Sequence, residues 1–171
     1  MVRDPIAYNI SRFFALAPLY NPVSESDWPE AAETLGSVDT LISRFLQRFD
    51  HDFILRWFDS WKSAPGIDVF NQYFPESGID SFGNTNTQVL IFRAELEDDV
   101  KAKAVSNFLG VGTFAISRTN SGITKPYGGI YEQFKSEFIA PKWYTDKMYN
   151  NAFFRHFYTD YHRKKFVKKW T

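Results

Sequence analysis

Apolar residues recur at helical spacing in several separated runs, and one short run is nearly continuous. Ile6, Ile10, Phe13, Phe14 and Ala17 share one helical face. Asp4 is placed to cap that helix with its carboxylate, and Pro5 suits the first helical position, where no amide hydrogen is needed. Met1-Val2-Arg3 reads as the end of a buried strand turning directly into it. Pro18 breaks the pattern, and a polar, proline-punctuated loop runs to about Glu30. A short helix starting at Ser26-Asp27-Trp28-Pro29-Glu30 stops at Gly36. Ser37 caps a clear helix carrying Val38, Leu41, Ile42, Phe45, Leu46 and Phe49. Asp50 starts another, with Ile54, Trp57, Phe58 and Trp61 on one face and Pro65-Gly66 at its end. The two predict an antiparallel helix pair.

Residues 66–85 read as loop, with Gly66, Pro75, Gly78 and Gly83. Their interleaved aromatic and acidic groups suit either a cover over neighbouring helices or the lining of a sugar-binding mouth. Thr87 to Phe92 is the apolar run expected of a strand buried on both faces of a parallel sheet. Asp98 and Asp99 oppose the dipole of a helix whose expected buried face is Val100, Ala104, Val105, Phe108 and Leu109. Gly110 ends it. A polar loop over 111–127 leads to a helix with Ile130, Tyr131, Phe134 and Phe138, and Pro141 starts the next. Thr159 or Asp160 caps a last helix with a basic outer face, which fits dipole and solubility chemistry or an acidic surface.

Composition narrows the classes. The 171 residues suit one domain, 1–171, with a sizeable core, and 18 Phe, 9 Tyr and 5 Trp argue for a packed interior. A net charge of zero weighs against a nucleic-acid partner. There is no Cys, and His51, His156 and His162 lack a one-face ligand spacing, so no metal is expected. No leader and no run of about 18 apolar residues is present, which points to a cytoplasmic chain without a transmembrane segment.

An Arg at a strand end followed by a Ser on the next helix, as Arg3 and Ser11 are here, resembles the 3′-phosphate-binding motif of sulfotransferases. A guanidinium can fork onto such an anion while a hydroxyl adds a hydrogen bond. Val89 to Leu96, continuing to Phe108-Leu109-Gly110, resembles a second landmark of that family, in which a late strand and helix close with Phe-Leu-Gly. Lys125, Gly129 and Tyr131 partly match the family's Lys-Gly-rich loop, with Pro126 in place of a glycine. Tyr131 to Lys135, Met148-Tyr149, His156 to Thr159 and Lys169-Trp170 are similar to a bacterial group of sulfotransferase-like proteins of capsular polysaccharide synthesis. Arg3-Asp4-Pro5, Asn9-Ile10-Ser11 and Phe13-Phe14 carry the same resemblance.

The resemblance implies an α/β, P-loop-type sulfotransferase-like fold, predominantly helical with a small parallel sheet. It also implies a donor, 3′-phosphoadenosine 5′-phosphosulfate (PAPS), and a glycan or other hydroxyl acceptor. Arg3, Ser11 and Lys125 would hold the 3′-phosphate. No Gly-x-x-x-x-Gly-Lys pattern and no strand–loop–helix precedes Arg3, so the phosphosulfate cradle is missing and the fold reads as truncated at its N-terminus. The catalytic base is unassigned; His51 and Glu95 qualify by residue type alone. Two other readings stand beside this one: a non-catalytic remnant or glycan- or protein-interaction module, and a helical scaffold without that kinship.

Overall fold

Helix α1 (Pro5–Ala15) begins where local chemistry dictates. The Asp4 carboxylate accepts the Ile6 amide at 3.1 Å, and Pro5 stands at the first helical position. The computed structural model describes residues 1–16, 37–63, 65–112, 115–117 and 122–171. The short helix expected over 26–36 and the Pro18 loop lie outside these residues.

α2 (Val38–Arg48) is capped by Ser37, whose hydroxyl accepts the Thr40 amide. Its Phe45 is fully buried and meets Phe13, Phe134, Phe138 and Tyr144 edge to face at 5.4–5.7 Å. This aromatic cluster is the centre of the core. α2 packs on α5 (Gly128–Glu137), and the segment after α2 meets it through His51, whose ring lies 4.8 Å from that of Phe45.

That segment departs from the expected helix. It is a 3-10 turn (Ile54–Arg56) followed by a short α3 (Asp59–Ser63). Ile54 and Phe58 turn inward, where Phe58 meets Phe157 of α7 (Ala152–Phe157) at 5.3 Å, while Trp57 turns out. Anchoring two residues four apart on α7 leaves the intervening residue facing solvent.

The expected parallel sheet is corrected to an antiparallel hairpin. β1 (Ile79–Gly83) pairs with β2 (Gln88–Phe92) from Ile79 opposite Phe92 to Gly83 opposite Gln88. Asn84 N–H donates to the Thr87 carbonyl at 2.9 Å and closes the turn. Gly78 precedes β1 with φ +78°, and an added Cβ there would lie 3.0 Å from Arg93 Cδ, so conformation and space both require glycine. β2 is buried only at Ile91, so it is not a strand covered on both faces. A hairpin partner forms locally, ahead of any distant parallel strand. Parallel pairing is confined, among the described residues, to one bridge between Val2 and Arg93.

α4 (Asp98–Leu109) also turns differently from its pattern. It buries Lys101, Ala102 and Ser106, and leaves Val100 and Leu109 exposed. Lys101 fixes this rotation by pairing with Asp98 at 2.6 Å and donating to the Ala94 carbonyl at 3.3 Å. The loop expected over 66–85 is shorter than that, since its second half holds β1. The part before β1, with a 3-10 turn at Val69–Asn71, mainly covers its neighbours: Val69 and Phe74 are buried, and Phe74 meets Phe157 at 5.0 Å.

α6 (Lys142–Tyr149), α7 and α8 (Asp160–Trp170) complete the core with Tyr144, Met148, Tyr149, Phe153, Phe154, Phe166 and Trp170. Thr159 and His162 cap α8 reciprocally. The Trp170 carbonyl accepts the Ala140 amide at 2.8 Å. Among the described residues, no helix is long and apolar enough to cross a membrane.

Candidate functional site

The end of β2 and the start of α1 meet at one junction. Val2 N–H donates to the Phe92 carbonyl at 2.9 Å, and Ala94 N–H donates to the Val2 carbonyl at 2.7 Å. Arg3 therefore leaves a strand-like position and enters the helix cap directly. Its side chain is half-buried and, among the described residues, has no carboxylate within salt-bridge distance. Glu95 lies beside it but is engaged elsewhere. Its Oε1 accepts the Asp4 amide at 2.7 Å, and its Oε2 accepts the Tyr158 hydroxyl at 3.1 Å.

Beneath Arg3 the Asp4 carboxylate is almost fully buried. Oδ1 accepts from Ile6 N–H and from the Tyr149 hydroxyl at 2.9 Å; Oδ2 accepts from Trp170 Nε1–H at 2.8 Å. Lys169 Nζ stands 3.9 Å from Oδ2. Burial raises the Asp4 pKa, against the pull of Trp170, Lys169 and Tyr149. Burial lowers the Lys169 pKa; Asp4 opposes this, and the nearby cations Arg3 and Lys135 add to it. Lys135 itself pairs with Glu132 at 2.9 Å and Lys169 stands beside Asp4, which leaves Arg3 as the cation of this group without a carboxylate partner among the described residues.

The other expected phosphate ligands are spread along α1. Ser11 is half-buried, about 10 Å of helical rise from the cap, and shares no hydrogen bond with Arg3. Lys125 is exposed in the loop before α5. The aromatics that follow it, Tyr127 and Tyr131, pack on Phe14 at the far end of α1 at 5.8 and 5.2 Å. α5 then runs back along α1, so Lys135 is the α5 lysine carried towards Arg3. Lys135 and Lys169 escaped the sequence reading because each reaches the junction through a distant helix.

Of the candidate bases, His51 is buried, with Nε2 2.8 Å from the Phe45 carbonyl and its ring 4.6 Å from that of Tyr144. Burial lowers its pKa, which keeps it neutral in the core. Glu95 is exposed at the junction itself. Arg93 ends β2 as a buried anchor, donating from Nε to the Phe157 carbonyl at 2.6 Å and from Nη1 to the Glu76 carbonyl at 3.0 Å.

Clefts lie on other faces, one of them, of about 760 Å³, between the hairpin and α4. Phe53, Arg56, Trp57, Asp59, Ser60 and Trp61 line a surface cleft of about 510 Å³.

Together these features define a predominantly helical protein with an antiparallel hairpin and a cationic strand-to-helix junction. Residues 36–159 match the NKWYS family, described as "Putative capsular polysaccharide synthesis protein", and the chain belongs to that family. The matched stretch includes the aromatic cleft, Glu95, Lys125 and Lys135, and begins after Arg3 and Ser11. No curated protein and no solved structure matches the chain.

Proposed function

We propose that this capsular polysaccharide synthesis protein contributes the 3′-phosphate half of a PAPS-dependent sulfotransferase site, with a glycan hydroxyl as acceptor. The observation that carries the reading is Arg3. It is a half-buried guanidinium without a carboxylate partner among the described residues, set where a strand end becomes a helix start, with Lys169 near by. Such a cluster suits a dianionic phosphate, which Arg3 would take in a forked contact. Ser11 would add a hydroxyl from the next turns of α1, and Lys125 would act from the loop at the other end. The acidic Glu95 helps to order the junction by holding the Asp4 amide.

Calorimetric titration of the folded chain tests this. Adenosine 3′,5′-bisphosphate is expected to bind at least about tenfold more tightly than adenosine 5′-monophosphate, because only the former offers the 3′-phosphate. Arg3→Ala removes that preference, and Ser11→Ala reduces it. Equal affinity for the two nucleotides, or no heat at millimolar ligand with a cooperatively folded protein, defeats the reading.

A specific observation favours a second reading, a glycan-binding module without nucleotide. The family match covers the aromatic cleft but neither Arg3 nor Ser11.

A further inference from the structure

Phe53, Trp57 and Trp61, spaced four residues apart, all line the cleft; Trp57 is exposed, while Phe53 and Trp61 are half-buried and Trp61 also packs against the core. Trp57 is 39% exposed and, with Phe70, Tyr73, Trp143 and Tyr161, is one of the exposed large aromatics among the described residues. The rings are nonetheless held in place. Phe53 and Trp57 meet edge to face at 5.5 Å, and Phe58 braces Trp61 at 5.0 Å. The Arg12 guanidinium lies 3.9 Å from the Phe53 ring centre and secures that ring from α1.

Polar groups stand at the rim of these rings. Arg56 is exposed and pairs only loosely with Asp50, at 3.6 Å. Asp59 is exposed and has no ion-pair partner among the described residues. The Ser60 hydroxyl donates to the Trp57 carbonyl at 3.5 Å, so it helps to shape the turn. The cleft volume, about 510 Å³, falls within the roughly 300–1,000 Å³ typical of small-ligand sites.

We infer that this cleft is a saccharide-binding site in which one pyranose ring lies on Trp57 with its hydroxyls on Asp59 and Arg56. A pyranose presents an apolar face of C–H groups and an equatorial rim of hydroxyls. An indole face bordered by a carboxylate and a guanidinium matches both parts. The rim discriminates against other occupants. A purely apolar partner would strip water from Asp59 and Arg56 without replacing their hydrogen bonds. A polyanion would meet Asp59 and Asp50. The inference rests on the polysaccharide half of the reading above and not on its nucleotide half.

The test follows the tryptophan indole N–H resonances of the full chain by NMR, without nucleotide. Cellohexaose, maltohexaose and chitohexaose are titrated in turn. At least one hexasaccharide is expected to shift the Trp57 and Trp61 signals saturably and leave those of Trp143 and Trp170 in place. Trp57→Ala, with an unchanged melting curve, is expected to weaken that binding at least about tenfold, as loss of an aromatic anchor does. Asp59→Asn is expected to weaken it less. The inference is overturned if none of the three moves Trp57 up to roughly 10 mM, the weak end of measurable affinity. It is also overturned if the shifts map to Trp143. Concentration-dependent self-association that Trp57→Ala abolishes would make the cleft a protein contact and overturn it as well. Because no nucleotide is present, failure of adenosine 3′,5′-bisphosphate to bind leaves a positive saccharide result intact, and the converse holds.

Discussion

Asp4→Ala is expected to lower the unfolding free energy by about 3–5 kcal/mol, the range seen when a buried polar network loses its centre. The substitution orphans three donors at once: Ile6 N–H, the Tyr149 hydroxyl and Trp170 Nε1–H. A lost helix cap alone costs about 1 kcal/mol, so most of the effect must come from the two side-chain donors. Urea unfolding measures it, and a loss under about 1 kcal/mol would show that the network contributes only a cap.

Asp4→Asn separates shape from charge. Because burial raises its pKa, Asp4 in the folded chain holds its proton to higher pH than the unfolded group, whose ordinary value is 3.8. Its contribution to stability is therefore full below that value and is lost as pH rises through the folded pKa. Asparagine does not titrate there. The deficit of Asp4→Asn relative to the parent should be greatest in acid and shrink as pH rises. A deficit that grows with pH would mean that the donors and Lys169 outweigh burial.

Phe45→Ala is expected to cost a similar amount, about 3–5 kcal/mol, by a different route. Phe45 is fully buried, with rings from α1, α5 and α6 and from Phe49, just past the end of α2, around it. Those neighbours are held by separate helices, so they cannot collapse together into the space, and the cavity adds to the lost transfer free energy. Phe45→Leu refills part of the volume and should recover at least about half of the loss. Equal losses for Ala and Leu in urea unfolding would show that ring geometry, not volume, sets the cost.

The parts of the fold that were legible in the sequence are those decided within a few residues. Asp4-Pro5 and Ser37 each announced a helix start through a side chain that satisfies a nearby amide. The β2 run was legible from its apolar residues, but its partner was not, because β1 carries only Ile79 and Phe82 as strand-like apolar residues between two glycines. The rotation of α4 was misread because a lysine stem and its hydrogen bond to the Ala94 carbonyl outweighed the apolar stripe. In 50–61, aromatics stand at both inward and outward positions, so periodicity alone could not distinguish core rings from cleft rings. At the junction, Arg3 was legible as a strand-end arginine. Lys169, Lys135 and the double role of Glu95 depend on chain crossings that a linear pattern does not contain.

The bond between Asp4 and Trp170 also bears on how the chain is made. Its two ends are 166 positions apart in sequence, so α1 reaches its final surroundings only after α8 has left the ribosome. During synthesis the Asp4 carboxylate remains in water, where it is ionised and without its two side-chain donors. α1 thus emerges long before α8 and is locked only once α8 is in place. A pause or premature stop before Trp170 would leave Ile6, Ile10, Phe13 and Phe14 without a finished core, and chaperones and proteases would meet that apolar face first.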